Sequence, residues 1–305
     1  MASDSDATSR RSAWHIALVA TLLVVLGLVG CTGGSMVPGT PSPSQPPAAT
    51  PPSRPATPAP SASSPAPNPP AGVPAEVLQQ LETALEQLPG TTGAAVVAVG
   101  GDEVVQVGAF DTGAAWSTSK VPLVLATERA GTGDPDLARA ALTASDNAAA
   151  EQLWSSLGTP DQAATQVAAV LADHGTKTTV PADPPRPEYS SFGQTSWSLA
   201  DQARFMARAA CTPADQSVLD LMTEVEPDQR WGLGAVEGTA FKGGWGPNPD
   251  GSYLTRQLGL VTTDRGQFAV AIAVDGVDFE TGTSTLTAMG AALAQNATAV
   301  PAGSC

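Results

Sequence analysis

Ser117-Thr118-Ser119-Lys120 opens a stretch of helical patterning. Residues at i and i+3 project from one helix face, so Ser117 Oγ and Lys120 Nζ can meet. A serine hydroxyl is a weak nucleophile until a base removes its proton. Lysine serves as that base when desolvation or a neighbouring positive charge lowers its pKa. A helix N-terminus adds a positive field and backbone N–H groups suited to an oxyanion. Taken alone, the pair reads as a serine cap beside a solvated lysine. Two further motifs change that reading. Ser145-Asp146-Asn147 lies between two helical segments and leads into an alanine-rich turn, and Lys242-Gly243-Gly244 lies on a strand ahead of a loop of Gly, Pro, Asn and Asp. The chain has three lysines, and two of them occupy these motifs.

The elements that must position these residues follow from periodicity and stop signals. Helical patterning predicts helices over residues 74–88, 117–129, 135–142, 147–157, 160–173, 198–211, 213–225 and 284–296. Strands are predicted over 94–99 and 103–108, joined by the hairpin signal Gly100-Gly101-Asp102. Three more follow at 240–243, 253–262 and 267–274, the last pair turned by Asp264-Arg265-Gly266. A proline-rich loop, residues 181–195, interrupts the helices. The order is helix, two strands, a block of helices, three strands, helix. The simplest packing is a mixed α/β (α+β) domain over residues 74–305: one five-stranded antiparallel sheet flanked by the terminal helices, plus an all-helical lobe. A cleft between lobes is where a ligand is expected.

Composition narrows the classes of function. The net charge is −15, with 14 Lys+Arg against 29 Asp+Glu, which argues against nucleic acid or an anionic surface as partner. With 2 His and 3 Cys, a His- or Cys-rich metal site is nearly excluded, and a Ser-His-Asp triad could rest only on His174. His174 ends a predicted helix before Gly175 and is given no catalytic role. Arg10 and Arg11 precede an apolar run over residues 16–29 that ends at Gly30-Cys31, the pattern of an export signal. The small residues before Cys31 resemble the bacterial lipobox, which implies cleavage after residue 30 and lipidation of Cys31. Residues 31–73 are dominated by Pro, Ala, Ser and Thr and read as an extended spacer. The domain would then be exported and tethered to the outer face of the membrane. Cys211 and Cys305 form an even pair in such a domain, so a disulfide is the default.

The three ordered motifs resemble those of the penicillin-recognising serine enzymes, the class A β-lactamases and the D,D-peptidases (penicillin-binding proteins). The resemblance covers residues 74–305, and the predicted helix–strand order matches that family's fold. It implies that Ser117 is acylated, with Lys120 as its base and Ser145 relaying a proton to the leaving nitrogen. Asn147 would bind the substrate amide and orient Lys120, Asp146 would hold its own loop, and Lys242 would supply positive charge. The N–H groups of Ser117 and Trp245 would form the oxyanion hole, with Gly244 beside them. No cofactor is implied, and the substrate would be a β-lactam or a peptidoglycan-derived peptide amide. The sequence leaves the oligomeric state open, a monomer being the default.

This chain departs from the family pattern in three ways. Gly243 stands where a Thr or Ser hydroxyl normally contacts the substrate carboxylate; Arg256, on the next strand, is the candidate replacement. Ser117 and Ser145 are only 28 residues apart, which implies a trimmed helical lobe. The loop over residues 181–195 offers Asp183 and Glu188, but neither is followed by the asparagine that accompanies the deacylating glutamate in class A enzymes. Slow deacylation is therefore expected. Two alternatives remain: a catalytically decayed envelope lipoprotein that binds or scaffolds, and an esterase, which the loss of the hydroxyl at Gly243 suits.

Overall fold

The computed structural model describes residues 73–305. The expectations for the export signal, Cys31 and the spacer fall on residues before 73 and lie outside the described residues.

The described residues open with α1 (Ala75–Glu86), then β1 (Thr91–Ala98) and β2 (Val104–Gly108). A short ribbon pairs β3 (Thr112–Ala114) with β4 (Ser196–Ser198), and the chain closes its sheet with β5 (Thr239–Pro247), β6 (Tyr253–Thr263) and β7 (Gly266–Val277). The sheet order is β2-β1-β7-β6-β5, and every neighbouring pair is antiparallel. This is the five-stranded antiparallel sheet that the sequence predicts, and β5 is its edge.

The two faces of β7 carry different side chains, and the difference sets the layers. Phe268, Val270, Ile272 and Val274 face the terminal helices, where they pack with Leu286 and Met289 of α8 (Phe279–Gln295). Ala269, Ala271 and Ala273 face the other way, toward α6 (Leu199–Ala210). Alternation of side chains along a strand puts bulk on one face and leaves room for a helix close to the other.

Between the strand groups lies the helical lobe: α2 (Lys120–Ala130), α3 (Pro135–Thr143), α4 (Asn147–Ser156), α5 (Pro160–Asp173) and α7 (Gln216–Leu221). Residues 120–127 of α2 are all buried, so it is the lobe's central helix. It stops at Gly131, whose φ of 68° is the left-handed conformation that glycine adopts without penalty. The neighbours start on side-chain caps. Asp134 accepts from two backbone N–H groups, and Thr159 with Gln162 forms a capping box.

Several predicted boundaries differ, among them β5, predicted over 240–243, which runs on to Pro247, and the helix predicted from 117, which begins at Lys120 after a 3₁₀ turn. The last helix begins at Phe279, because the Asp278 carboxylate caps it by accepting from Thr281 N at 2.9 Å. The helix predicted over 213–225 is a 3₁₀ turn followed by the short α7, since the chain must turn there to let Phe241 N bond Met222 O at 3.0 Å. The β3–β4 ribbon was not predicted, because three residues per strand are too few to display a period. Cys211, at the end of α6, is joined to Cys305 by a disulfide with Cα atoms 5.4 Å apart. Gly303 beside it exchanges two backbone hydrogen bonds with Gln267 of β7, at 2.7 and 3.0 Å.

Candidate active site

Trp116–Ser119 forms a 3₁₀ turn that runs into α2. Side chains at i and i+3 eclipse in such a turn, which stacks Ser117 and Lys120 on one side. Ser117 is half-buried and lines a cleft of about 780 Å³. Its N–H, in the first turn of a helical segment, has no intrahelical acceptor. The edge strand β5 presses on this turn: a Cβ at Gly244 would lie 2.8 Å from both Ser117 N and Thr118 N, and one at Gly246 would lie 2.3 Å from the Trp116 indole. Only glycine allows that approach, and Trp245, the next residue of β5, lines the same cleft as Ser117.

Lys120 and Lys242 are brought together on Ser145. Lys120 Nζ donates to Ser145 O at 2.5 Å, Asn147 Oδ1 at 2.7 Å and Ser145 Oγ at 3.3 Å. Lys242 Nζ donates to Ser145 Oγ at 2.8 Å and to Gly243 O at 2.9 Å. Ser117 Oγ makes no hydrogen bond among the described residues. Catalytic contacts of this kind often form only once substrate is bound. Burial lowers the Lys120 pKa to about 7, against the opposing pull of Asp146 and Glu151. Lys242 is held well below its ordinary value by burial and then by the Lys120 charge. Asp146 caps α4, its carboxylate accepting from Ala149 N at 2.8 Å, which aims Ser145 and Asn147 inward. Trp116 (φ 48°) and Ser145 (φ 56°) are the non-glycine residues with positive φ among those described, so backbone strain gathers at this cleft.

The far wall comes from the loop over 181–195 and from α4. Glu188 lines the cleft but is held by Arg186, its Oε1 3.2 Å from Nη2 and 3.3 Å from Nε. Asp183 lines it too, without an ion pair among the described residues. Glu151 also lines the cleft and was not singled out from the sequence. The signal was there: Glu151 is four residues after Asn147, so the two share a helix face. Trp245 lines the cleft and packs edge-on against Trp231, with ring centroids 5.8 Å apart. A Cβ at position 243 would meet that same Trp231 ring at 3.2 Å, so a threonine there would press on the indole and require it to shift.

Arg256 corrects the sequence reading. It was expected to bind a substrate carboxylate, but it is fully buried and lines no part of the cleft. Its guanidinium donates to Gly113 O (3.0 Å), Ala114 O (3.1 Å), Trp197 O (2.9 Å) and Gln202 Oε1 (2.7 Å). Gln202 Nε2 in turn donates to Thr118 Oγ1 at 2.8 Å. Arg256 therefore fastens the β3–β4 ribbon and the nucleophile turn from behind. Burial lowers its pKa to about 9. His174 is also a packing residue. Its Nε2 lies 2.7 Å from Asp215 Oδ2 and its Nδ1 lies 2.8 Å from Val170 O.

Neither a protein-family model nor a curated protein sequence matches this chain. Solved structures do. A variant of the class A β-lactamase reconstructed for the last common ancestor of Gram-negative bacteria is 17% identical with a TM-score of 0.58, over 73% of this chain and 98% of that one. The β-lactamase of Sphaerobacter thermophilus is 20% identical with a TM-score of 0.57, over 75% of this chain and 99% of that one. At such identities the likeness is one of fold. This chain has the fold of the class A β-lactamases.

Proposed function

We propose that this protein is a serine acyl hydrolase, exported and lipid-anchored through Cys31, that takes an acyl group from an amide or ester onto Ser117. The observation that carries the reading is the buried Lys120, whose pKa is lowered to about 7, set one 3₁₀ turn behind a cleft-lining serine. Neutral Lys120 accepts the Ser117 Oγ proton as Oγ attacks the carbonyl carbon. The oxyanion lies against the N–H groups of Ser117 and Trp245. Ser145, held between Lys120 and Lys242, passes its proton to the leaving nitrogen or oxygen as the scissile bond breaks, and Lys120 returns to Ser145 Oγ the proton it took from Ser117. Water then attacks the acyl carbon, releases the acid and restores Ser117. Glu188 is tied to Arg186 and so is a poor deacylating base, which favours slow hydrolysis. Gly243 and the engaged Arg256 leave no anchor for a substrate carboxylate. That favours an ester or amide without a carboxylate over a β-lactam or a cell-wall peptide.

An intact-mass time course with benzylpenicillin and with a simple activated ester tests this. The expected result is a Ser117 adduct from the ester, decaying slowly, with little or none from the penicillin. Ser117→Ala and Lys120→Ala should abolish labelling. No adduct and no turnover with either compound would move the reading to a non-catalytic binding lipoprotein. Cys31→Ala should shift the protein from the membrane to the soluble fraction, and unchanged partitioning would refute the anchor.

A further inference from the structure

The charged residues that line the cleft are Glu151, Asp183 and Glu188; no lysine or arginine side chain lines it among the described residues. Among the described residues Glu151 and Asp183 form no ion pair; Glu188 is paired with Arg186, and Glu151 feels only the charge of Lys120, which lies behind the cleft wall. The two lysines behind Ser117 direct their donors at Ser145, Asn147 and Gly243 O, and Arg256 directs its own at backbone carbonyls and Gln202. An incoming carboxylate would meet like charge and no free cation. A cation would meet carboxylates in a cleft that aromatic rings, among them Trp154 and Tyr253, also line. The rim already contains such an arrangement. Arg186 Cζ sits 4.4 Å above the Tyr189 ring while the same guanidinium bonds Glu188. Carboxylate and aromatic face together are a standard seat for a cation.

We infer that the acyl donor of Ser117 carries a positive charge, an ammonium or guanidinium seated against Glu151, Asp183 and the aromatic wall, and that donors bearing a carboxylate are rejected. The inference rests on the proposed acyl transfer to Ser117 and specifies its substrate class. Charge of one sign along a walled cleft raises the local concentration of ligands of the other sign, and added salt weakens the effect.

The test uses the full chain and three activated esters of equal length, ending in an ammonium, a methyl or a carboxylate. Acylation rates should fall in that order, with about tenfold or more between the extremes. The ratio should shrink in about 0.5 M salt and in the double variant Glu151→Gln/Asp183→Asn. A carboxylate ester that reacts as fast as the ammonium ester, or a ratio that the double variant leaves unchanged, overturns the inference. Binding of the three matching unreactive amides to Ser117→Ala separates the two readings. If the amides bind in the charge order while no ester labels the wild type, acyl transfer to Ser117 fails and the charge preference stands. If they bind without regard to charge, the preference falls whether or not Ser117 is acylated.

Discussion

Burial lowers Lys120 to about 7 although Asp146 and Glu151 both pull its pKa upward, so desolvation is the larger effect at this site. The sign of the pH dependence follows. Protonated Lys120 cannot accept the Ser117 proton, so acylation should be level above about pH 7 and fall about tenfold per unit below it. A stopped-flow pH profile with a neutral ester reads this directly, and a profile flat down to pH 5 would remove Lys120 from the role of base. Glu151→Gln removes one of the two upward pulls, so its acid limb should move to lower pH. The same residue scale explains Gly243. A Gly243→Thr substitution would not restore carboxylate binding, because the Trp231 ring lies 3.2 Å from the new Cβ and would deflect the hydroxyl. Equal labelling of this variant and the wild type by benzylpenicillin would bear that out.

Among the elements, the contact between the edge strand β5 and the nucleophile turn sets the geometry of the reaction. Gly244→Ala puts a methyl group 2.8 Å from backbone nitrogens that cannot rotate away, so strand and turn must separate. The expected outcome is a loss of acylation of about 10² or more, the cost typical of a lost oxyanion donor. Thermal stability should fall as well, since β5 is buried against that turn. A variant that keeps full activity would show that this contact does not position the oxyanion hole. The β3–β4 ribbon depends in the same way on Arg256. Arg256→Met leaves several buried acceptors without a donor, and should cost about 2–5 kcal/mol in urea unfolding. Its ratio of carboxylate to neutral ester labelling should not move, whereas a substrate anchor would change that ratio.

For the whole molecule, the Cys211–Cys305 disulfide closes the chain on itself across a separation of 94 residues. It ties the C-terminus to the end of α6, and neither cysteine lines the cleft. Cys305→Ser should therefore lower stability by about 2–5 kcal/mol while the acylation rate of the folded protein stays unchanged. The remaining hydrogen bonds between Gly303 and Gln267 should keep the terminus docked in the variant at moderate temperature. Unchanged unfolding in the presence of reductant would show that those bonds alone suffice.

Local pattern outlined the antiparallel sheet and most of the helices and put Ser117 and Lys120 on one helix face; the resemblance of three ordered motifs to a known family singled out Ser145, Asn147 and Lys242 beside them. Spacing on a helix, strand alternation and turn residues are properties of neighbours in the chain. The convergence of two lysines on Ser145 was not legible, because 97 residues separate Lys242 from that serine. Nor was the fate of Arg256, since the strand register places its side chain but the carbonyls it meets belong to residues up to 143 positions away. Glu151 showed only as a helix neighbour of Asn147, and its significance comes from the wall that the 181–195 loop builds opposite. Burial, and with it the protonation of Lys120, belongs to the packed molecule, because desolvation depends on every atom that closes over the amine.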